Sequence, residues 1–195
     1  LKPDYAEAHV NLGIAIKNVR FNSSNRKLYL PLTQLLIAGN FTRASDVAVS
    51  ILSLLKHDIQ IKDLLLEKKS SVSPNEATSI IRILNKLPLL HHLMRVCPLP
   101  DLQFEKLFVT IRGFLLKNLD QMTVSSELIY FLSTLSIHCF TNEYVYIESG
   151  EETHLIGELQ AKIFQTVAQS EQPEAIKVLC LACYRPLHQY EWCQK

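Results

Sequence analysis

The chain has 195 residues, of which 48% are hydrophobic and 20% charged, so it is long and apolar enough to bury a sizeable core. Only five glycines are present, which argues against a glycine-rich nucleotide loop, and no apolar run reaches the ~18 residues that a membrane helix needs. The net charge of +1 is unevenly spread: residues 1–117 carry 16 Lys and Arg against 9 Asp and Glu, and residues 118–195 carry 4 against 10. The basic half lacks a cluster of cations interleaved with aromatics. We therefore expect neither nucleic acid nor a membrane as a partner.

Helix signals recur along the whole chain and predict an all-α fold, a helical bundle or solenoid of about ten helices. The strand-like stretch Asn142 to Tyr146 has no evident partner. In chain order, the predicted helices are Tyr5 to Lys17, Leu28 to Ile37, a helix capped by Ser45, Ile59 to Glu67, Pro74 to about Lys86, Pro88 to Val96, a long helix after Asp101, a helix capped by Ser125 or Ser126, Glu151 to Ala168, and a last helix from Pro173 to Arg185.

The opening segment, Leu1 to Gly13, carries a proline, a small residue and a Leu-Gly pair at characteristic positions. Pro3 stands where one repeat would end. Ala8, Leu12 and Gly13 stand at small and apolar positions in the first helix of the next repeat. Residues 1–18 thus resemble the tetratricopeptide repeat (TPR). No second helix with the same small-residue pattern follows, so we expect residues 1–20 to end a TPR array and residues 21–195 to form a separate helical domain.

Asn11 is the candidate binding residue of this segment. In TPR arrays, an Asn on the first helix of a repeat often faces the concave groove, where its amide binds peptide backbone. The resemblance therefore implies a peptide-groove role for Asn11 and a protein or peptide as partner. The alternative is a plain exposed side chain.

Four further segments carry a second resemblance: Asn25 to Tyr29 with Leu35 and Leu36, Leu54 to His57, Cys139 to Tyr146, and Tyr184 to Leu187. They are similar to the helical region of bacterial proteins that fuse TPR repeats to a class I S-adenosylmethionine-dependent methyltransferase. The similarity covers about residues 25–193. It implies that the methyltransferase domain and its S-adenosylmethionine belong to a longer parent protein beyond Lys195, and that this chain holds no cofactor.

Cys180, Cys183, His188 and Cys193 follow the spacing of a zinc knuckle, and three thiolates with one imidazole suit tetrahedral zinc. However, no glycine lies between them, and Cys180 and Cys183 end an apolar helical stretch, where cysteine commonly fills a core. We therefore predict core cysteines and no metal, with zinc as the alternative.

The remaining polar candidates have simpler interpretations. His91, His92 and His138 lie in apolar helices and are interpreted as hydrogen-bonded or solvent-facing histidines. The acidic residues Glu143, Glu148, Glu151 and Glu152 are interpreted as helix-start charge and solubility, because no nucleophile or apolar pocket lies beside them in the sequence.

Together these features predict a non-catalytic helical linker or substrate-recruiting module of a TPR-containing methyltransferase. The alternative is a stand-alone helical interaction module, with or without zinc at its C-terminal end. Without a secretory signal at its start, and with an odd number of cysteines, the chain is expected to be cytoplasmic, with reduced thiols.

Overall fold

The described residues form helices joined by turns and loops, which confirms the predicted all-α fold class. The structure is a computed structural model and describes residues 3–40, 42–66 and 73–193. In these ranges there are no strands, and the ten α-helices are α1 Pro3–Ile16, α2 Tyr29–Ala38, α3 Ala44–Lys56, α4 Ile59–Leu66, α5 Pro74–Asn85, α6 Pro88–Val96, α7 Leu102–Lys117, α8 Ser126–Thr141, α9 Gly150–Ala168 and α10 Ala175–Ala182. Short 3₁₀ turns lie at Arg26–Leu28, Leu119–Gln121, Leu187–Gln189 and Glu191–Cys193. No helix in the described ranges is long and apolar enough to cross a membrane.

Several helix starts follow the capping signals of the sequence. Ser73 accepts a hydrogen bond from the Glu76 backbone while the Glu76 side chain binds the Ser73 backbone, which is the predicted capping box of α5. Asp101 and Ser125 cap α7 and α8 through side-chain oxygens, without a reciprocal bond from the helix. These local hydrogen bonds satisfy N–H groups that have no partner within their own helix, so the sequence alone locates them.

Three predicted boundaries need correction or lie outside the described residues. Ser45 does not cap α3, because the helix already begins at Ala44, after Arg43 in extended backbone and without a side-chain cap. The last helix starts at Ala175 and not at Pro173, since Glu174 still has extended backbone. Residue 67, the predicted end of α4, lies outside the described ranges, as do Leu1 and Lys2 of the TPR-like segment.

The strand-like stretch after α8 is a turn. Glu143 and Tyr144 have φ of 52° and 55°. These values lie in the left-handed region of the backbone, which residues other than glycine rarely adopt. The Tyr144 N–H donates to the Cys139 carbonyl at 2.9 Å, so this turn closes the end of α8. Its backbone therefore cannot continue into a strand.

Contacts between helices link the first helix of the chain to the last. α1 packs on α2 and α3, α6 lies between α2 and α8, and α8 packs on α5 and α10. α7 contacts α9 and α10. One apolar core runs through these contacts, from Ile16 on α1 to Ile176 and Leu181 on α10.

A buried carboxylate fixes the turn between α3 and α4. Asp58 is fully buried and receives a bidentate pair of hydrogen bonds from Arg26, at 2.9 and 2.8 Å, and one from the Tyr29 hydroxyl at 2.7 Å. It also accepts from the Gln60 backbone at the start of α4. Arg26 and Tyr29 belong to the segment Asn25 to Tyr29, so this segment anchors the helices that follow it.

Candidate functional site

The inner face of α1 is held closely against α2 and α3. Gly13 is buried at this contact, and a Cβ at this position would lie 2.0 Å from Thr42 Oγ1, so only glycine allows this distance. Next to it, Ile16 is buried, and its carbonyl accepts a hydrogen bond from Ser50 Oγ at 2.6 Å. α1 is therefore docked through apolar contact and backbone hydrogen bonding together.

The outer face of α1 carries Asn11. Glu7, Asn11 and Ile14 are exposed and share this face because they follow the three- and four-residue spacing of a helix. Ile14 is 68% exposed, which is high for a large apolar side chain. Asn11 thus presents its amide beside an apolar residue, on the side of α1 opposite to its docked face.

A second polar arrangement lies inside the bundle, around Arg112. This side chain is 1% exposed, in the middle of α7. Its guanidinium lies over the Tyr184 ring at 4.1 Å and near the Tyr146 ring at 5.6 Å, within the range of cation–π attraction. It donates to the Ile147 carbonyl at 3.1 Å and to the Cys183 carbonyl at 3.5 Å. We call Arg112, Tyr146, Tyr184, Glu152 and His138 together the Arg112 centre.

Glu152 supplies the negative charge of the Arg112 centre. Its carboxylate accepts from the Tyr184 hydroxyl and from the Ser149 backbone, both at 2.8 Å. Burial alone would raise the pKa of Glu152, but these hydrogen bonds and the charge of Arg112 outweigh it, so the pKa is lowered and the group stays ionised. Gly113 completes the site, since a Cβ there would come within 3.1 Å of the Glu152 carboxylate.

His138 extends the centre toward α6. Its Nδ1 lies 3.2 Å from the Met94 carbonyl and its Nε2 lies 2.7 Å from the Tyr146 hydroxyl. A carbonyl can only accept, so Nδ1 carries the proton and Nε2 accepts from Tyr146. Burial lowers the pKa of His138 to about 4, so the ring is neutral near pH 7. This agrees with the interpretation of His138 as a hydrogen-bonded core histidine.

The acidic loop before α9 was interpreted too simply. Glu152 is buried in the Arg112 centre and forms a capping box with Ser149. Glu148 forms an ion pair with Arg185 that includes a 2.9 Å bond from Nη2 to Oε2. These two carboxylates therefore hold the loop onto α10, and helix-start charge and solubility describe only part of their role.

The four residues of the zinc-knuckle spacing lie in different environments. Cys180 and Cys183 are buried at the end of α10, whereas His188 and Cys193 are exposed in the 3₁₀ turns beyond it. Within the described ranges, no group of three His, Cys, Asp or Glu side chains is arranged to hold a metal ion. The geometry is that of core cysteines at the first two positions.

Sequence reasoning did not single out Arg112. It lies four residues after Phe108 and three before Leu115, both buried, so a charge stands on the apolar face of α7. That position was the available signal, because a cation on an apolar stripe requires buried partners. Its two aromatic partners, Tyr146 and Tyr184, come from the segments Cys139 to Tyr146 and Tyr184 to Leu187, which the resemblance had marked.

A small cleft lies between the 3₁₀ turn at Leu119–Gln121 and α9. It has a volume of ≈ 220 Å³, and Leu159 and Lys117 are among its lining residues. Lys162 and Lys177 lie 3.8 and 3.7 Å from the two oxygens of Asp120. The charges at this cleft largely offset one another, so it has no clear preference for an anionic or a cationic ligand.

Comparison with known proteins identifies no relative, since no family model, no curated protein and no solved structure matches the chain. The resemblances of residues 1–18 and 25–193 therefore stay predictions. What can be said about function depends on the docked and exposed faces of α1 and on the Arg112 centre.

Proposed function

We propose that this chain is a non-catalytic helical module that joins a peptide-binding TPR array to a methyltransferase domain in a longer protein. The observation that carries this proposal is the two-sided character of α1. Its inner face is fixed on α2 and α3 through Gly13 and Ile16, and its outer face leaves Asn11 open to a ligand. Such a helix connects a binding surface to the body of the module without a flexible joint.

The packing order supports a role in positioning. α1 contacts α2, α2 contacts α6, α6 contacts α8, and α8 contacts α10 in a continuous series. At the far end, the Arg112 centre ties α7, α9 and the end of α10 together through buried hydrogen bonds. A substrate held at the array would therefore keep a defined position relative to whatever follows α10.

The Arg112 centre is better suited to holding the bundle together than to chemistry on a substrate. Arg112 binds backbone carbonyls, whereas Glu152 and His138 bind the Tyr184 and Tyr146 hydroxyls and nearby backbone. Arg112, Glu152 and His138 are all less than 10% exposed. In this proposal, the methyl transfer and the S-adenosylmethionine belong to the separate domain.

The proposal is tested first in the adjoining coding sequence and then by calorimetry. The coding sequence must contain further TPR repeats before residue 1 and a strand followed by a glycine-rich turn and a helix after residue 195. The longer polypeptide is expected to bind S-adenosylmethionine, and the 195-residue chain is expected to give no binding heat. Micromolar binding by residues 1–195 alone, or a coding sequence without those elements, would show the proposal to be wrong.

Asn11 provides the test of the peptide-binding part. Peptides selected on the longer polypeptide from a displayed library are expected to lose about fivefold in affinity with Asn11→Ala, since one amide–backbone contact is worth ~1 kcal/mol. Asn22→Ala, at another exposed asparagine, is the matched control and should leave the affinity unchanged. Equal affinities for the wild type and the Asn11 variant would show that Asn11 does not bind the peptide.

A further inference from the structure

One face of α8 stays open to solvent, although the helix packs against α5, α6 and α10. Three large side chains on this face are exposed: Tyr130 by 42%, Ile137 by 41% and Phe140 by 55%. They recur after seven and three residues, so they share one side of the helix over about 15 Å. We call these three residues the α8 strip. Exposed apolar side chains that lie together mark an interaction surface, whereas single ones do not.

Aromatic rings and a carboxylate lie at one end of the α8 strip. The Phe140 ring is 6.4 Å from the Tyr144 ring and 6.1 Å from the His188 ring, in edge-to-face geometry with both. Such contacts hold an exposed ring in one orientation. Glu143 follows in the turn that closes α8 and is exposed. Among the described residues, its carboxylate has no hydrogen-bond or ion-pair partner, so this end carries an unbalanced negative charge.

A cation lies at the opposite end of the α8 strip. The Arg95 guanidinium is 5.2 Å from the centre of the Tyr130 ring, and its Nε and Nη2 donate to the Thr134 hydroxyl at 3.2 and 2.9 Å. These contacts hold the group on α8 without balancing its charge, since no carboxylate within the described ranges pairs with it. The strip is therefore positive at its Tyr130 end and negative at its Phe140 end.

An apolar strip with opposite charges at its two ends is complementary to itself. When a two-fold axis passes through the middle of the strip, two copies run antiparallel and the Tyr130 end of each meets the Phe140 end of the other. Arg95 of each copy then faces Glu143 of the other copy, and Ile137 lies near the axis. The net charge of the whole chain is only +1, so long-range repulsion between copies is small.

We infer that this chain forms a two-fold symmetric dimer in which the α8 strips of two copies pack antiparallel against each other. The apolar side chains between the copies supply the affinity. The charges set the direction, because a parallel arrangement would place Arg95 against Arg95 and Glu143 against Glu143. The inference uses no residue of α1, so it goes beyond the proposed function and does not depend on it.

Sedimentation equilibrium of the 195-residue chain over a range of concentrations tests the dimer. A reductant is present throughout, because Cys193 is exposed and could link two copies by a disulfide. We expect twice the mass of one chain at high concentration, and Phe140→Ser should weaken dimerisation by at least about tenfold. Phe164→Ser is the matched control, at a 62% exposed phenylalanine on α9, and should leave dimerisation unchanged. A wild-type chain that stays monomeric would show that the α8 strip does not bind a second copy.

Exchange of the two charges tests the antiparallel direction. Arg95→Glu alone and Glu143→Arg alone each place like charges at both ends of the interface and should weaken dimerisation by about tenfold or more. An equal mixture of the two variants again pairs opposite charges at both ends and should form a heterodimer.

Circular dichroism shows whether each variant keeps its helices, since Arg95 also binds Thr134. Glu143→Arg, in an exposed turn, and Phe140→Ser decide the question if the Arg95 variant does not fold. A dimer that survives both of these changes, or two folded charge variants that fail to pair with each other, would overturn the inference.

Discussion

Arg112 shows how one residue can link distant segments of the chain. The guanidinium lies between two tyrosine rings and binds carbonyls from the 142–149 loop and from the end of α10. A charge buried to this extent is tolerated only while its partners remain in place. The side chains around Arg112 should therefore be more sensitive to substitution than equally buried apolar positions.

Tyr184→Phe tests this sensitivity at a single atom. The substitution keeps the ring beneath Arg112 and removes only the hydroxyl that donates to Glu152. Hydrogen bonds to charged groups are worth about 1.5–3 kcal/mol, so the free energy of unfolding should fall by that amount in urea titrations. Tyr130→Phe, at a partly exposed tyrosine on α8, should change it by less than about 0.5 kcal/mol. Equal effects of the two changes would contradict a special role for the Glu152 bond.

At the scale of elements, two glycines in helices should respond to alanine in opposite directions. Gly13→Ala places a Cβ 2.0 Å from Thr42 Oγ1 and must push α1 away from its support, which we expect to cost about 1–3 kcal/mol. Gly157→Ala on α9 meets open space and should stabilise by about 0.5–1 kcal/mol, because alanine favours the helix.

Thermal unfolding of the two glycine variants tests both the expected loss and the expected gain of stability. For a chain of this length, 1 kcal/mol corresponds to a shift in Tm of about 2–4 °C. A drop for Gly13→Ala with a rise for Gly157→Ala supports the close docking of α1. If Gly13→Ala raises Tm as Gly157→Ala does, α1 does not approach Thr42 as described.

Features that depend on neighbouring residues could be predicted from the sequence, whereas contacts between residues far apart in the chain could not. Capping at Ser73 and Asp101 depends on residues within three positions, and it was readable. The packing of Arg112 on Tyr184 joins residues far apart in the chain, so no local pattern predicts it. Asn142 to Tyr146 is strand-like in sequence because Tyr144, Val145 and Tyr146 favour strands, whereas its backbone turns at Glu143 and Tyr144.

At the scale of the whole molecule, the uneven charge of the sequence is only partly balanced within the fold. Among the described residues, the ion pairs that join the basic and acidic halves are Arg82 with Glu127 and Lys117 with Glu151, and all four side chains are more than 40% exposed. Exposed pairs of this kind contribute at most about 1 kcal/mol each. The helices are therefore held together by the apolar core and by buried polar contacts, and stability should depend little on salt.

Acid should weaken the fold through its buried histidines before it protonates the carboxylates. His138 binds Met94 and Tyr146, and His91 binds Thr134 Oγ1 at 3.0 Å. Burial is the main cause that lowers the pKa of both rings to about 4, against about 6.5 in an unfolded chain. As pH falls from ~6.5 to ~4, these histidines bind protons in the unfolded chain but not in the folded chain. The free energy of unfolding therefore decreases across this window and is level above it.

Urea unfolding at pH 7.5, 6 and 5 measures this decrease. Asp58 and Glu152 have lowered pKa values, so their stabilising effect is present above the usual carboxylate range and is lost only as pH falls through those lower values, below the histidine window. His138→Phe should reduce stability at pH 7.5, because Tyr146 loses its acceptor, and should also flatten the dependence between pH 6 and 5. His154→Gln, at an exposed position on α9, should leave the profile as it is. A wild-type profile that stays level down to pH 5 would mean that His138 and His91 are not held neutral inside the bundle.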